Sequence, residues 1–186
     1  MPNYVSPNEG NHTLRTARRI LVIGSSAGGK STLSRKIAAQ FDLPYVSLDH
    51  DVRWLPGWTV RDRTEQRRLT EQFVMTEAWV MDGTTVSSFD LRGPRADLVI
   101  WMRPHRLRAM WQLTKRVWGS YGKVRVDMAE GCPEQLPDRE FLNWIWTFEK
   151  KQSPRIIEAL DRFAADVPVV TLRKPSDYNQ MVFVPK

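Results

Sequence analysis

The residues best suited to chemistry lie early in the chain. Gly24-Ser25-Ser26-Ala27-Gly28-Gly29-Lys30-Ser31 satisfies G-x-x-x-x-G-K-[ST] in full. Its glycines let the backbone curl so that successive N–H groups converge, and phosphate oxygens are the acceptors such a nest selects. A helix opening at Lys30 aims the positive end of its macrodipole at the same point. The Lys30 ammonium then reaches the β- and γ-phosphates, and the Ser31 hydroxyl is placed to ligate Mg²⁺. Together with Thr32, these residues are the expected binding loop for a nucleoside triphosphate, with ATP and Mg²⁺ as cofactors.

A phosphate loop does not say what becomes of the phosphate. The acids do more. Asp49 and Asp82 each follow a short apolar run that reads as a strand, Tyr45-Val46-Ser47-Leu48 and Trp79-Val80-Met81, and Asp51 lies just beyond the first. A carboxylate at such a strand end can hold Mg²⁺ or take a proton from an attacking hydroxyl. Asp82 suits the metal; Asp49 suits a base or, with Asp51, a substrate contact. Cations must meet charge that develops on a transferred phosphoryl group. Arg116, Lys123, Arg125 and Arg155 are candidates, with Arg116 and Arg125 the expected catalytic pair. Arg92 and Arg95 precede a strand and are candidates for an anionic second substrate. Trp54 and Trp58 can either stack on a ring or close their loop on the core. His12, His50 and His105 show no metal spacing.

These groups need a scaffold, and the hydrophobic pattern supplies one. Ile20–Ile23, Tyr45–Leu48, Trp79–Met81, Leu98–Met102 and Pro168–Leu172 read as five buried strands separated by helical patterns, which predicts a parallel sheet covered on both faces. Helices are expected over 30–41, 62–77 and 105–118, with Leu107, Met110, Trp111, Thr114 and Trp118 on one inward stripe. Another starts at Asp138 and is split by Pro154. Glycines and prolines with mixed charges between 119 and 137 predict a mobile excursion that can serve as a lid. Residues 1–17 read as a polar leader and 18–186 as one domain, whose last residues turn apolar from Met181 to Val184.

The chain has 186 residues, 41% of them hydrophobic, with eight Trp, seven Phe and four Tyr; such side chains exclude disorder throughout. Its single cysteine, Cys132, excludes an intrachain disulfide and a cysteine-based metal site. There is no apolar run of membrane-spanning length and no signal-peptide pattern at the start, so the expected location is the cytoplasm, without a membrane partner. Net charge is +7, and it is concentrated: residues 92–125 hold nine Lys/Arg and one acid, Asp97, so the rest of the chain sums to −1. A basic zone implies an anionic partner at one place, with polyphosphate, nucleic acid and an anionic surface all open.

Several strings occur in order: ILVIGSSAGGKSTLS from Ile20, LDHDVRWLPGW from Leu48, WVMDG from Trp79, ADLVIWM from Ala96, DMAEGCP from Asp127 and FLNWIWTF from Phe141. Together they resemble the adenylate-kinase-like P-loop proteins of the topology modulation, or FlaR-type, family, across nearly all of residues 18–172. The resemblance implies a P-loop NTPase fold of the nucleoside-monophosphate-kinase kind: a five-stranded parallel sheet, helices on both faces and a lid. It also implies a phosphotransferase that moves the γ-phosphoryl of ATP·Mg²⁺ to a nucleotide or other small metabolite. The adenylate kinase string Gly-Phe-Pro-Arg is absent, and Gly83-Thr84-Thr85 stands where relatives carry Gly-Asn and an aromatic residue; both point away from AMP as acceptor. Two other functions stay open: a nucleotide-dependent DNA-binding, topology-modulating regulator and a P-loop ATPase without an acceptor. No helix-turn-helix, zinc or coiled-coil pattern favours the former.

Overall fold

The structure is a computed structural model that describes residues 1–182. In chain order the strands and α-helices are β1 (Asn3–Val5), α1 (Pro7–Leu14), β2 (Arg19–Gly24), α2 (Lys30–Phe41), β3 (Tyr45–Ser47), β4 (Trp54–Leu55), β5 (Thr59–Val60), α3 (Arg63–Val74), β6 (Trp79–Asp82) and α4 (Phe89–Arg92). Then come β7 (Leu98–Met102), α5 (Arg106–Ser120), α6 (Arg139–Lys151), α7 (Ser153–Phe163), β8 (Pro168–Leu172) and α8 (Pro175–Val182). Six strands form a parallel sheet in the order β1-β8-β7-β2-β6-β3, and β4 and β5 pair as a separate short hairpin.

Each central strand is buried on both faces, and its side chains alternate between two cores. Leu21, Ile23, Trp79, Met81, Val99 and Trp101 face α3, α4, α6 and α7, meeting Val74, Phe89, Phe148, Ile156 and Leu160. Ile20, Val22, Val80, Leu98 and Ile100 face the other way, onto Leu14, Leu33, Ile37 and Met181 of α1, α2 and α8. The continuous apolar strand runs in the sequence have this cause. The apolar tail expected to Val184 lies outside the described residues beyond 182; Met181 is buried. Among the described residues no helix is long and apolar enough to cross a membrane.

The sheet has six strands rather than the expected five, because the polar leader folds into it. Asn3–Val5 pairs with β8 in register with Pro168–Val170. Ser6 then caps α1: its hydroxyl accepts from the Glu9 amide, while the Glu9 carboxylate accepts from the Ser6 amide, with Pro7 at the first helical position. Leu14 is fully buried at the end of that helix, which contributes about 2 kcal/mol.

Helix α5 also differs from expectation. It packs on α6 through Ala109 and Leu113 against Ile145, with Met110 and Val117 alongside. Small Ala109 allows the close approach, so Leu107, Trp111 and Trp118, expected inward, face solvent at 60%, 60% and 89% exposure. Helices α6 and α7 divide at Ser153-Pro154, where the missing proline N–H ends the first helix.

The fit of α1 on the sheet is testable. A Cβ on Gly10 would lie 2.0 Å from Cγ2 of the buried Val170. Alanine gains about 1 kcal/mol of helix propensity over glycine, but overpacking a core costs about 1–3 kcal/mol. Gly10→Ala is therefore expected to lower stability by about 1 kcal/mol net in urea denaturation; a raised midpoint would contradict the packing.

Candidate functional site

The parallel register sets the site. In β2 and β6, Val22 lies opposite Asp82, and the Gly83 amide donates to the Val22 carbonyl at 3.1 Å. The loop leaving β2 and the acid ending β6 thus emerge side by side at the carboxyl edge of the sheet, where open α/β folds bind ligands.

Gly24 starts the loop at φ 136°, and a Cβ there would stand 2.1 Å from the Met102 carbonyl oxygen at the end of β7. Only glycine permits so close an approach. Gly29, at φ 89°, closes the loop as the residue capping α2. Ala27 between them also has positive φ, 55°. Thr84 fixes the start of the loop, accepting from the Gly24 amide (2.8 Å) and donating to its carbonyl (2.7 Å). Lys30 Nζ donates to the Ser25 carbonyl at 3.0 Å, so its ammonium lies over the loop it belongs to. Ser25 and Gly28 are buried, Ser26, Gly29 and Ser31 half-buried, and Thr32 exposed.

Asp82 is 4% exposed. Its Oδ2 accepts from the Tyr45 hydroxyl at 3.3 Å, and among the described residues its Oδ1 has no hydrogen-bond partner. Burial raises its carboxyl above the ordinary value, against the pull of the Lys30 charge and the Ser31 hydroxyl. A buried carboxylate oxygen without a partner, next to a serine hydroxyl, suits a hard cation that completes its shell with phosphate oxygens and water. Among the described residues no cluster of three or more His, Cys, Asp or Glu forms a metal site, so Mg²⁺ here would be held jointly with a nucleotide.

After β3 the chain makes one wide helical turn, Leu48–Arg53. Asp49 is exposed on it, and among the described residues its carboxylate takes no hydrogen bond, though its charge is felt at Asp82. Asp51 is engaged: one oxygen accepts from the Ser47 amide at 2.7 Å and the other lies 2.6 Å from His50 Nδ1. It shapes the turn. Trp54 and Trp58 meet edge to face at 5.2 Å and pack on Met128, Ala129 and Cys132. Of the two expectations for this pair, closing the loop on a core describes the observed contacts.

The two arginines expected to be catalytic are together. Arg116 places Nε and Nη2 3.0 Å from Oε1 of Glu134, and Arg125 Nε lies 2.7 Å from the other oxygen. Arg116 Nη1 also donates to Ser26 of the phosphate loop at 3.3 Å. Arg125 Nη1 contacts both oxygens of Asp127, at 3.2 and 3.0 Å. Burial lowers the Arg116 pKa, and the Arg125 charge adds to that effect, while Glu134 opposes it.

The other cations are elsewhere. Arg92, expected to meet an anionic substrate, is fully buried and donates to the carbonyls of Gly83 and Thr85 at 2.8 and 2.7 Å. Burial pushes its pKa down to about 9 against the pull of Asp82, which leaves it charged at neutral pH as a brace under the 83–85 loop. Arg95 donates to the Val74 carbonyl and lines a shallow depression with Arg18, Arg19 and Asp97, at the amino-terminal edge of the sheet. It is remote from the phosphate loop because it precedes β7, whereas the site follows the strands. Lys123 and Arg155 are exposed.

Sequence reasoning did not single out Glu134, Thr84 or Asp127. Glu134 carries no distinguishing mark in an acid-and-proline-rich stretch, and only the Gly83-Thr84-Thr85 departure hinted at Thr84. A cleft of about 520 Å³ adjoins the loop at Ser25, lined by apolar Met102, Ile145 and Phe148 together with Arg103, Arg106 and Glu149.

No family model matches the chain. A shikimate kinase of Bradyrhizobium diazoefficiens is 32% identical over 66 residues, which is 36% of this chain and 32% of that protein, so the chain matches about a third of its relative's length. Among solved structures, the shikimate kinase of Acinetobacter baumannii in complex with shikimate superposes with a TM-score of 0.56 at 13% identity, covering 92% of each chain. The shikimate kinase of Bacteroides thetaiotaomicron gives 0.54 at 14% identity, over 89% of this chain and 94% of that one. The fold is thus the P-loop α/β fold of these kinases: a parallel sheet flanked by helices on both faces.

Proposed function

We propose that the chain is a P-loop small-molecule kinase that moves the γ-phosphoryl of ATP·Mg²⁺ to a nucleotide or another small metabolite. One observation carries this: the curled loop, the buried Asp82 and the Arg116–Arg125 pair meet at one edge of the sheet, with the unpaired Asp49 carboxylate beside them. The fold shared with shikimate kinases supports it. The cleft next to Ser25 sets apolar residues beside basic ones, a lining that suits a nucleotide. Kinship with adenylate-kinase-like topology modulation proteins belongs to the same reading, and the missing Gly-Phe-Pro-Arg string turns the acceptor away from AMP.

In this reading the acceptor hydroxyl attacks the γ-phosphorus as the bond to the β-bridging oxygen breaks, releasing ADP, and Asp49 takes the hydroxyl proton. Lys30 swings from the Ser25 carbonyl to the β- and γ-oxygens. Arg116 and Arg125 meet charge on the equatorial oxygens. Ser31 and Asp82 would hold Mg²⁺, whose charge offsets that of the phosphate tail. Residues 119–137 act as the lid that excludes water.

The basic zone gives the DNA-binding alternative little support. Arg92, Arg95, Arg103, Arg116 and Arg125 all contact carbonyls or carboxylates of the fold, which removes most of the zone from a continuous basic face.

Three outcomes test the proposal. In an ADP-release assay across a panel of hydroxyl acceptors, Lys30→Ala is expected to cost at least about 10²–10³-fold in turnover; a variant as active as the native chain would refute the mechanism. Asp49→Asn is expected to lower kcat by about 10²–10⁴-fold and leave KM for ATP within about threefold. Duplex DNA at about 50 mM salt is expected to bind no tighter than about 10 µM; tighter binding with a steep salt slope would favour the regulator instead.

A further inference from the structure

Arg116 and Arg125 pose a physical problem that Glu134 solves. Two guanidinium ions brought together repel, and burial of either is costly without a counter-charge. Glu134 is itself 5% exposed and gives one oxygen to each arginine. Its backbone is pinned: the Gly122 amide donates to its carbonyl and its own amide to Lys123, both at 2.9 Å. The carboxylate therefore springs from a fixed point, and both arginines are referred to it. The Arg116 guanidinium is a planar fork, so the edge it gives to Glu134 decides where its other nitrogen points. With Nε and Nη2 of Arg116 on the carboxylate, Nη1 is turned to Ser26 of the phosphate loop. Arg125 Nε pairs with the other oxygen by charge, without a hydrogen bond among the described residues, and its Nη1 donates to Asp127, whose carbonyl accepts from Ser47 at the end of β3. The two ion pairs thus connect the phosphate loop to the end of β3 across a single carboxylate.

We infer that Glu134 is a positioning residue that holds Arg116 and Arg125 side by side as one receptor for the terminal phosphate, so that the site tells a nucleoside triphosphate from a diphosphate. This rests on the kinase reading above and adds to it a residue that touches neither nucleotide nor acceptor. The inner phosphates are served by the loop amides and Lys30, which Glu134 does not contact. Its effect is therefore confined to the terminal phosphate. A merely structural Glu134 would weaken every nucleotide alike.

The test is calorimetric titration of the full chain with Mg·ADP and with the Mg complex of the β,γ-imido analogue of ATP. The native chain is expected to bind the triphosphate analogue about tenfold or more tightly than ADP. Glu134→Gln keeps the side-chain shape and one acceptor oxygen but loses the charge. It is expected to leave ADP affinity within about twofold and to erase most of the triphosphate preference. Glu134→Asp keeps the charge one methylene back, is expected to retain part of the preference, and carries the test alone if the glutamine variant does not fold. Equal loss for both nucleotides, an unchanged preference in the variants, or no preference in the native chain overturns the role of Glu134 and leaves the kinase reading standing. A native chain that binds neither nucleotide overturns both.

Discussion

A buried carboxylate oxygen that takes no hydrogen bond among the described residues is the constraint around which the site is arranged. Asp82 ends β6 next to the phosphate loop, almost wholly removed from water, and the fold satisfies only one of its oxygens. An uncompensated buried polar atom costs about 1–3 kcal/mol. Nothing in the packing of the sheet requires an acid there, since the rest of β6 is apolar and fully buried. The neighbouring cation, Lys30, is turned to a carbonyl of its own loop rather than to Asp82. Both groups keep a capacity that a magnesium-bound phosphate tail would fill, and β2–β6 register puts them at the same edge.

The two most particular strings in the sequence explain each other. Leu55-Pro56-Gly57-Trp58 forms the turn of the β4–β5 hairpin, and Glu130-Gly131-Cys132-Pro133 lies against it. The Gly57 amide donates to the Gly131 carbonyl at 3.1 Å, the Trp58 amide to Cys132 Sγ at 3.3 Å, and the Trp58 indole to the Pro133 carbonyl at 3.1 Å. Cys132 is a small buried side chain packed with the two tryptophans, its thiol directed to the Leu55 carbonyl.

How much of this was legible in the sequence depends on range. The phosphate loop is a local motif, and the central strands are long apolar runs, so both are visible without neighbours. Asp82 and Asp49 follow from strand ends, and Arg116 and Arg125 from the charge that phosphoryl chemistry requires. β1 escaped because three residues carry no periodicity, although Ser6 and Glu9 announce the helix after it. The outward face of α5 escaped because its apolar residues fall on more than one side of the helix: Ala109 and Leu113 meet α6 while Leu107, Trp111 and Trp118 face solvent, a choice only the partner helix can make. Arg92 and Arg95 misled for a different reason. Charge reads the same whether a guanidinium faces solvent, a ligand or two backbone carbonyls.

That last point bears on how the site works. The basic zone looks in sequence like one electrostatic surface, but the fold breaks it into separate tasks. Arg92 sits beneath the 83–85 loop, holding the carbonyls on either side of Thr84, and Thr84 in turn holds both polar groups of Gly24. A charge outside the phosphate loop thereby fixes the curvature of that loop at its origin. Arg116 touches the same loop at Ser26 and is referred through Glu134 to Arg125, and Asp127, which holds Arg125, meets Ser47 at the end of β3 through its carbonyl. The loop is therefore braced from one side by a buried arginine and met from another by Arg116 of α5, which the 119–137 segment holds through Glu134, and that segment reaches the β3 side through the Asp127 carbonyl. Arg116, which meets Ser26, and Arg125, which meets Asp127, share one carboxylate, and so the two sides of the site are linked by charge through Glu134.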